Sequence, residues 1–266
     1  MTRPLRHRIL RRDRIDDATR ARMFELMQLC YENVDRARFD HDLDEKHHVI
    51  FLVDERGDVM GFSTIRIANE TLDERRVDIL FSGDTVVHPD CWGAKALLSG
   101  VRAFTIKHKL RRPWRPLYWL LLSKGYKTYL LLANNFPTAF PRRQTAPDRK
   151  PPSPSLIALR DRLASAWWGH DYSASTSVLR FAIARDRVKQ GVAPIGAETS
   201  ANEDVAFFVE NNPRWADGDE LVCMAEIDFM LGVRWFSKQL RRSLTQPHRS
   251  PATTLSASTE PAAPHT

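Results

Sequence analysis

Cysteine is scarce in this chain and falls in no pattern: Cys30, Cys91 and Cys223 are the three among 266 residues. An odd, widely spaced set without a C-x-x-C pair argues against a disulfide scaffold and against a structural zinc site. It fits a reducing compartment, so the expected location is the cytoplasm. Cys30 and Cys223 read as small buried hydrophobes. Long apolar runs are missing as well. No uninterrupted stretch reaches the ~18 residues that a membrane span needs. The N-terminal MTRPLRHRILRRDRID lacks a continuous apolar core and does not read as a secretory signal. No internal repeat is evident. His47-His48 has no partners at ligand spacing, so no metal is expected.

What the chain has in excess is positive charge. Forty Lys and Arg against 33 Asp and Glu give a net charge of +7 and a pI near 9.5. Much of the excess sits in Arg3–Arg14 and Arg102–Arg115, with more at Arg142, Arg143 and Lys150. Basic runs are usually solvated faces. The sharper readings are a phosphate-bearing cofactor, an anionic lipid surface or nucleic acid. No helix-turn-helix, zinc-finger or RNA-recognition signature accompanies the charge, so nucleic acid is not an expected partner.

Hydrophobic periodicity gives the order of elements. Arg8–Arg14 is a short basic strand. Asp16-Asp17 caps a helix through Tyr31, with Met23, Leu26, Met27 and Cys30 at helical spacing. A short helix or turn over Asp35–Asp44 follows. Val49–Asp54 and Val59–Ala68 read as a hairpin with Gly57 at the tight position. Asp78–Val87 is a strand, Gly93–Leu110 a helix ended by Pro113 and Pro116, Leu117–Leu122 a buried strand and Tyr126–Phe136 a helix. Pro137–Pro154 is rich in Pro and Arg. Leu156–Trp168 and Ser177–Gln190 look helical, Val205–Val209 and Glu220–Met224 look like short strands, and Ile227–Leu244 looks like a final helix. The tail from Thr245 has the composition of a disordered segment.

The most informative block runs from Val77 to Phe136. An apolar strand, VDILFSGDTVV, enters a Gly-containing turn that opens a basic helix, and such a turn aims backbone N–H groups at a phosphate. Ser82-Gly83-Asp84-Thr85 interrupts the strand. A Gly there suggests a bulge or a close backbone approach to a ligand. Asp84 is costly inside an apolar strand unless it is paired or functional. It is either a general base, direct or through water, or a structural carboxylate bonded to neighbouring backbone. His88 suits proton transfer near neutrality, or is a surface histidine at a strand end.

From Arg8 to about Phe140, roughly half the chain, this order resembles the GNAT family of N-acyltransferases. The family turn has the form V-x-P-x-x-(R/Q)-G-x-G-x-(G/A), and the corresponding run is Val87-His88-Pro89-Asp90-Cys91-Trp92-Gly93-Ala94-Lys95-Ala96-Leu97. Val87, Pro89 and Gly93 match. Trp92 stands in place of Arg or Gln, Lys95 in place of the second Gly and Leu97 in place of the last small residue. Fewer glycines allow less backbone approach to a diphosphate. Lys95, Lys107 or Arg102 would then supply charge, or an acyl carrier protein would carry the donor. Phe39, Asp40, Gly57 and Gly61 add a likeness to the carrier-protein-dependent branch related to acyl-homoserine lactone synthases.

The resemblance implies an α/β (α+β) fold: a GNAT-like mixed, mostly antiparallel sheet flanked by helices, with an additional C-terminal α/β extension. The expected division is a core over 1–140, a linker or exposed loop over 141–155, an extension covering the core over 156–244 and a disordered tail over 245–266. It further implies N-acyl transfer from acyl-CoA or acetyl-CoA, or from an acyl carrier protein, to an amine-bearing small-molecule or lipid-like acceptor. Strand amides around Ser82, Gly83 and Thr85, with Val87 and Ser123, would position the donor, and the turn Trp92, Gly93, Ala94 and Lys95 would meet its phosphates. Asp84 or His88 would accept the proton. Tyr126 or Tyr129, in the helix after the next strand, would protonate the departing thiolate. Leu130, Leu131 and Leu132 would line an acyl tunnel or, more simply, the core. The alternative from another class is a non-catalytic module of the same fold whose basic helix docks on anionic lipid or a protein partner. Peripheral membrane contact and a homodimer belong to the same set of expectations. If Gly93 lets backbone approach a phosphate, Gly93→Val should raise the donor's Kd sharply in a folded protein. Unchanged donor affinity, measured calorimetrically, would remove the turn from the site.

Overall fold

A computed structural model of the chain describes residues 5–91, 96–181, 187–188, 199 and 201–228. The first strand, β1 (Arg6–Arg11), leads through a short 3-10 turn into helix α1 (Asp17–Cys30). Asp16 is extended and its carboxylate accepts from the Thr19 amide at 2.8 Å, which satisfies one of the open N–H groups of the first turn. The residues at helical spacing, Met23, Leu26, Met27 and Cys30, are the ones α1 buries. A two-residue strand, β2 (Tyr31–Glu32), separates it from α2 (Arg36–Asp44), capped in the same way by Asp35 and burying Phe39 and Leu43.

A meander follows: β3 (His48–Val53), β4 (Val59–Leu72) and β5 (Arg75–Val87), each antiparallel to the last, with β1 antiparallel to β3 on the outer edge. At the β3–β4 turn Gly57 has φ of 90°, and Asp54 Oδ1 accepts from the amides of Arg56 and Asp58 at 3.0 and 2.9 Å. The β4–β5 hairpin is longer than its pattern predicts. Both strands extend to a two-residue turn, Asp73–Glu74, with φ of 47° and 63°. Two consecutive positive φ values match the twist of a tight hairpin, and the usual Asn-Gly signal is absent here.

Helix α3 (Ala96–Arg111) then crosses to β6 (Leu117–Ser123), which lies parallel to β5. After α4 (Tyr126–Ala133) and α5 (Pro154–Trp168) come β7 (Tyr172–Ser173), β8 (Val178–Leu179), β9 (Arg187–Val188), α6 (Glu203–Asn211) and β10 (Glu220–Glu226). The main sheet has eight strands in the order β1-β3-β4-β5-β6-β10-β8-β7, and β2 pairs with β9 apart from it. It is mixed and mostly antiparallel, β5–β6 being the parallel pair. Strand β10, from the C-terminal third, sits directly beside β6, so the sheet runs across both sides of the 141–155 segment. Within that segment Arg142 and Ala146 are buried.

Alternation along the strands sorts the core into two layers. Ile50, Ile65, Leu80, Trp119, Leu121 and Cys223 face α3, α4 and α6, together with Tyr129, Leu132 and Phe208. Val77, Ile79, Phe81, Tyr118, Leu120 and Met224 face α5, with Leu156, Leu159 and Leu163. On that second face α1 and α2 cover Val49, Phe51, Phe62 and Val86. Cys30, Cys91 and Cys223 are all buried.

Four sequence expectations need correction or fall outside. Val205–Val209 is helical within α6, not a strand: Asn202 accepts from the amides of Asp204 and Val205, and the helix buries Val205 and Phe208 three residues apart. Short apolar runs do not distinguish the two periods by themselves. The described start of Ser177–Gln190 is strand β8, where Ser177 has φ of 59° and its carbonyl accepts from the Val222 amide. Of the expected helix Ile227–Leu244 only Ile227 and Asp228 are described, and they are not helical. The rest, and the tail from Thr245, lie outside the described residues.

One buried carboxylate fixes the crossover. Asp78, 1 % exposed at the start of the β5–β6 pairing, accepts from His108 Nε2 at 2.8 Å and Arg115 Nη1 at 2.9 Å, with Arg112 Nη1 at 3.4 Å. Asn69 of β4 accepts from the same two arginines, each at 3.0 Å. Burial works to raise the Asp78 pKa, and the bonds from His108 and Arg115 outweigh it and hold the carboxyl below its ordinary value. A folded-state pKa below the unfolded one means that this stabilisation is present above about pH 4 and is lost as pH falls through the folded value. Asp78→Asn should lower stability by roughly 3 kcal/mol near neutrality. It should also remove this group's share of the acid limb. Denaturant unfolding across the acid range measures both, and an unchanged midpoint would deny Asp78 this role.

Candidate active site

The site lies where β5 and β6 stop pairing. Their parallel register holds from Asp78–Leu117 to Ser82–Leu121 and goes no further. Beyond it, Leu122 and Ser123 of β6 pair with Val222 and Leu221 of β10, while β5 continues to Val87 against β4 alone. At the point of parting β5 bulges. Ser63 faces Thr85 and Ile65 faces Ser82, so Gly83 and Asp84 together stand opposite the single residue Thr64. The bulge expected from the glycine is therefore present.

Gly83 is required there by space. A Cβ on it would lie 2.6 Å from Thr64 Oγ1 and 3.0 Å from Lys46 Cε. Thr64 is fully buried, and its hydroxyl has no hydrogen-bond partner among the described residues. Lys46, also buried, donates to the Asp42 carbonyl at 2.9 Å and lies 5.6 Å over the Phe81 ring. Phe81 packs edge-on against Trp167 and Trp168 at 5.4 and 5.6 Å, and Arg66 covers Trp167 at 4.5 Å while pairing with Glu45. Asp84 is half-buried and makes no side-chain hydrogen bond among the described residues. Its charge reaches Asp42, whose pKa is raised by burial first, against the pull of the Lys46 ammonium, with Asp84 and Glu45 adding to the rise.

On the β6 side of the gap stands Tyr31. Its hydroxyl donates to the Thr85 carbonyl at 3.4 Å, and the Cys30 thiol donates to the Val87 carbonyl at 3.6 Å. Lys124, just past β6, lies 5.2 Å over the Tyr31 ring and pairs with Glu220 of β10 at 3.1 Å. Burial pushes the Tyr31 phenol up to about 12, against the Lys124 charge and with help from Asp84 and Glu220. Tyr31 is thus a neutral donor at physiological pH.

The residues expected from sequence divide between this gap and the core. Gly83, Asp84 and the Thr85 backbone line the gap. Ser82 turns its hydroxyl to the α3 face, where it accepts from Trp119 Nε1 at 2.8 Å. Thr85 Oγ1 is shared with Ser63 Oγ at 2.9 Å. Ser123 is fully buried against Cys223 Sγ at 3.6 Å. Val87 packs on both α3-side clusters. His88 belongs to its own turn: Nδ1 accepts from the Asp90 amide at 3.3 Å, and the backbone N–H donates to the Met60 carbonyl.

Tyr129 is 1 % exposed, stacks on Phe207 and Phe208, and donates its hydroxyl to the Pro141 carbonyl at 3.3 Å. Burial drives its pKa far above the ordinary phenol. Tyr126, at the first turn of α4, is partly buried and carries no such commitment. Trp92, Gly93, Ala94 and Lys95 lie outside the described residues. Phe39 is core, and Asp40 is held by Arg36 at 2.6 Å and Arg20 at 3.2 Å. Lys46, Thr64, Tyr31 and Lys124 escaped sequence reading because their elements are remote in sequence. Thr64 alone had a signal, a hydroxyl in the apolar run opposite the expected bulge.

No group of three or more His, Cys, Asp or Glu is placed to hold a metal, and no helix is long and apolar enough to cross a membrane, among the described residues. No protein-family model and no curated protein matches the chain. Solved structures do. They include an Enterococcus faecalis V583 protein described as a probable N-acyltransferase, at 12% identity and TM-score 0.37 over 49% of this chain and 32% of that one. A Trypanosoma brucei acetyltransferase matches at 14% identity and TM-score 0.36, over 49% and 90%. An Escherichia coli GNAT family N-acetyltransferase in complex with CoA matches at 15% identity and TM-score 0.33, over 46% and 64%. The matched part thus spans about a third of the first of these chains. Likenesses this weak carry no weight for function. The sheet itself is mixed, mostly antiparallel and flanked by helices, as the resemblance implied, and among the described residues its parallel pair parts at a bulge.

Proposed function

We propose that the protein is an N-acyltransferase that takes an acyl group from a thioester, acyl-CoA or acyl carrier protein, to an amine. The observation that carries this reading is the parting of β5 and β6 at a bulge. It leaves a backbone edge without a β6 ladder beside an uncommitted carboxylate, Asp84. A thioester carbonyl laid along that edge meets N–H groups fixed in direction, the arrangement that stabilises an oxyanion as it forms.

In the proposed reaction the acceptor amine loses a proton to Asp84, directly or through water. The neutral nitrogen attacks the thioester carbonyl. The C–N bond forms, the C–S bond breaks, and the thiolate takes a proton from Tyr126, whose phenolate is reprotonated by the second proton that the nitrogen sheds, giving amide and thiol. Tyr126 is preferred to Tyr129 because the Tyr129 hydroxyl already serves Pro141. Asp84 is preferred to His88 because the His88 Nδ1 already serves its own turn. The aromatic wall of Phe81, Trp167 and Trp168 offers the acceptor an apolar surface.

Native mass spectrometry with CoA and with a loaded acyl carrier protein should show one of the two bound, and binding of neither would remove the proposal. Asp84→Asn keeps shape and removes proton acceptance. Turnover should drop by about 10²–10⁴ with donor affinity and melting temperature little changed. A stable, fully active variant would move the base elsewhere.

A further inference from the structure

The basic helix α3 carries a face that the fold does not use. Ile106 is 45% exposed, Leu110 65% and Trp114, just past its end, 78%, whereas Leu97, Gly100 and Phe104 of the same helix are buried. At about 100° per residue, Ile106 and Leu110 share one stripe of the helix. Lys107 and Arg111, both exposed, form the adjacent stripe. Arg102 and Lys109 fall on the other side, where Lys109 is engaged by the Arg115 carbonyl. Three large apolar side chains in water, flanked by cations, are an unusual surface.

We infer that this face docks on an anionic lipid surface. Charge selects the occupant. The chain's own segment over 229–266 carries Arg234, Lys238, Arg241, Arg242 and Arg249 against the single acid Glu260, so it would bring positive charge to positive charge. A second copy would set the same cations against each other. A lipid surface offers what the face needs: an apolar interior for Ile106 and Leu110, a headgroup level that suits the indole of Trp114, and anionic groups within reach of Lys107 and Arg111. The stripe lies along the outside of a helix whose inner side is packed on β1 and β3: a Cβ on Gly100 would lie 2.5 Å from Ile50 Cγ2 and 3.0 Å from His7 Cβ. Docking therefore requires no rearrangement of the core. It is also independent of whether Asp84 does chemistry.

The test uses the full chain and vesicles of phosphatidylcholine, with or without phosphatidylglycerol. The chain should sediment with the anionic vesicles, less so as salt rises, and hardly with the neutral ones. Lys107→Gln with Arg111→Gln should weaken binding roughly 25-fold. Leu110→Ser with Trp114→Ser should abolish it at unchanged melting temperature. The fluorescence blue shift on adding anionic vesicles should be lost in Trp114→Phe, although six other tryptophans remain. Equal binding to both kinds of vesicle, no binding by the wild type, or binding that survives both double substitutions would overturn the inference. Capture of an acidic protein without any vesicle binding would overturn it in favour of a protein partner.

Discussion

The constraint on which the rest depends is that β5 shares only five residue pairs with β6 although it runs for thirteen residues. A parallel pair needs a long crossover, and α3 supplies it. Once the strands separate, β5 must satisfy a backbone edge without β6, and a buried unpaired carbonyl costs about 1–3 kcal/mol. Side chains take over at two points, Tyr31 at Thr85 and Cys30 at Val87. The position of β2 beside the gap therefore follows from backbone chemistry. The gap is a place where the sheet has handed its hydrogen bonding to side chains, which is also what a ligand-binding edge needs.

The two ends of the β5–β6 pair are opposites. At Asp78 a carboxylate with three cationic or imidazole partners ties β5 to the end of α3 and to the loop before β6. At Ser82 the tie ends in the Trp119 indole, and beyond it no β5–β6 pair is in register among the described residues. The pair is thus a wedge closed at one end by charge and open at the other. Loss of Asp78 would act on the open end through the crossover, without touching any residue there. Lys124–Glu220 braces the open end from the far side by linking β6 to β10.

Local chemistry made much of this legible in the sequence. Asp16 as a cap, Gly57 in its turn and Gly83 at a bulge each answer a local requirement, of capping, of backbone conformation or of space, and each is found doing that. Where the physics is non-local, less was legible. Asp73–Glu74 adopts two positive φ values because long flanking strands hold it there, and neither residue announces it. Residues 205–209 share an apolar run with many strands, and only Asn202 upstream makes them a helix. Glu220–Met224 read correctly as a strand, but nothing in it tells that one of its two neighbours is β6, with β8 on the other side. For the site, Asp84 could be named from the cost of a carboxylate in an apolar strand. Lys46, Tyr31 and Lys124 reach it from three other elements.

Electrostatics around Asp84 bear on how an amine would be handled. Burial raises the Asp42 pKa, the Lys46 ammonium works against that rise, and the nearby charge of Asp84 adds to it. The Lys46 ammonium is already turned to the Asp42 carbonyl and the Phe81 ring, so the carboxylates are only partly compensated. Under the proposed reaction an incoming ammonium would relieve the repulsion, which favours the charged acceptor at the point where it must lose its proton. The amide formed carries no charge and would restore the repulsion. Binding of substrate and departure of product would then draw on the same pair of carboxylates, with Thr64, buried and unsatisfied opposite Gly83, as the hydroxyl left for a polar group of the acceptor.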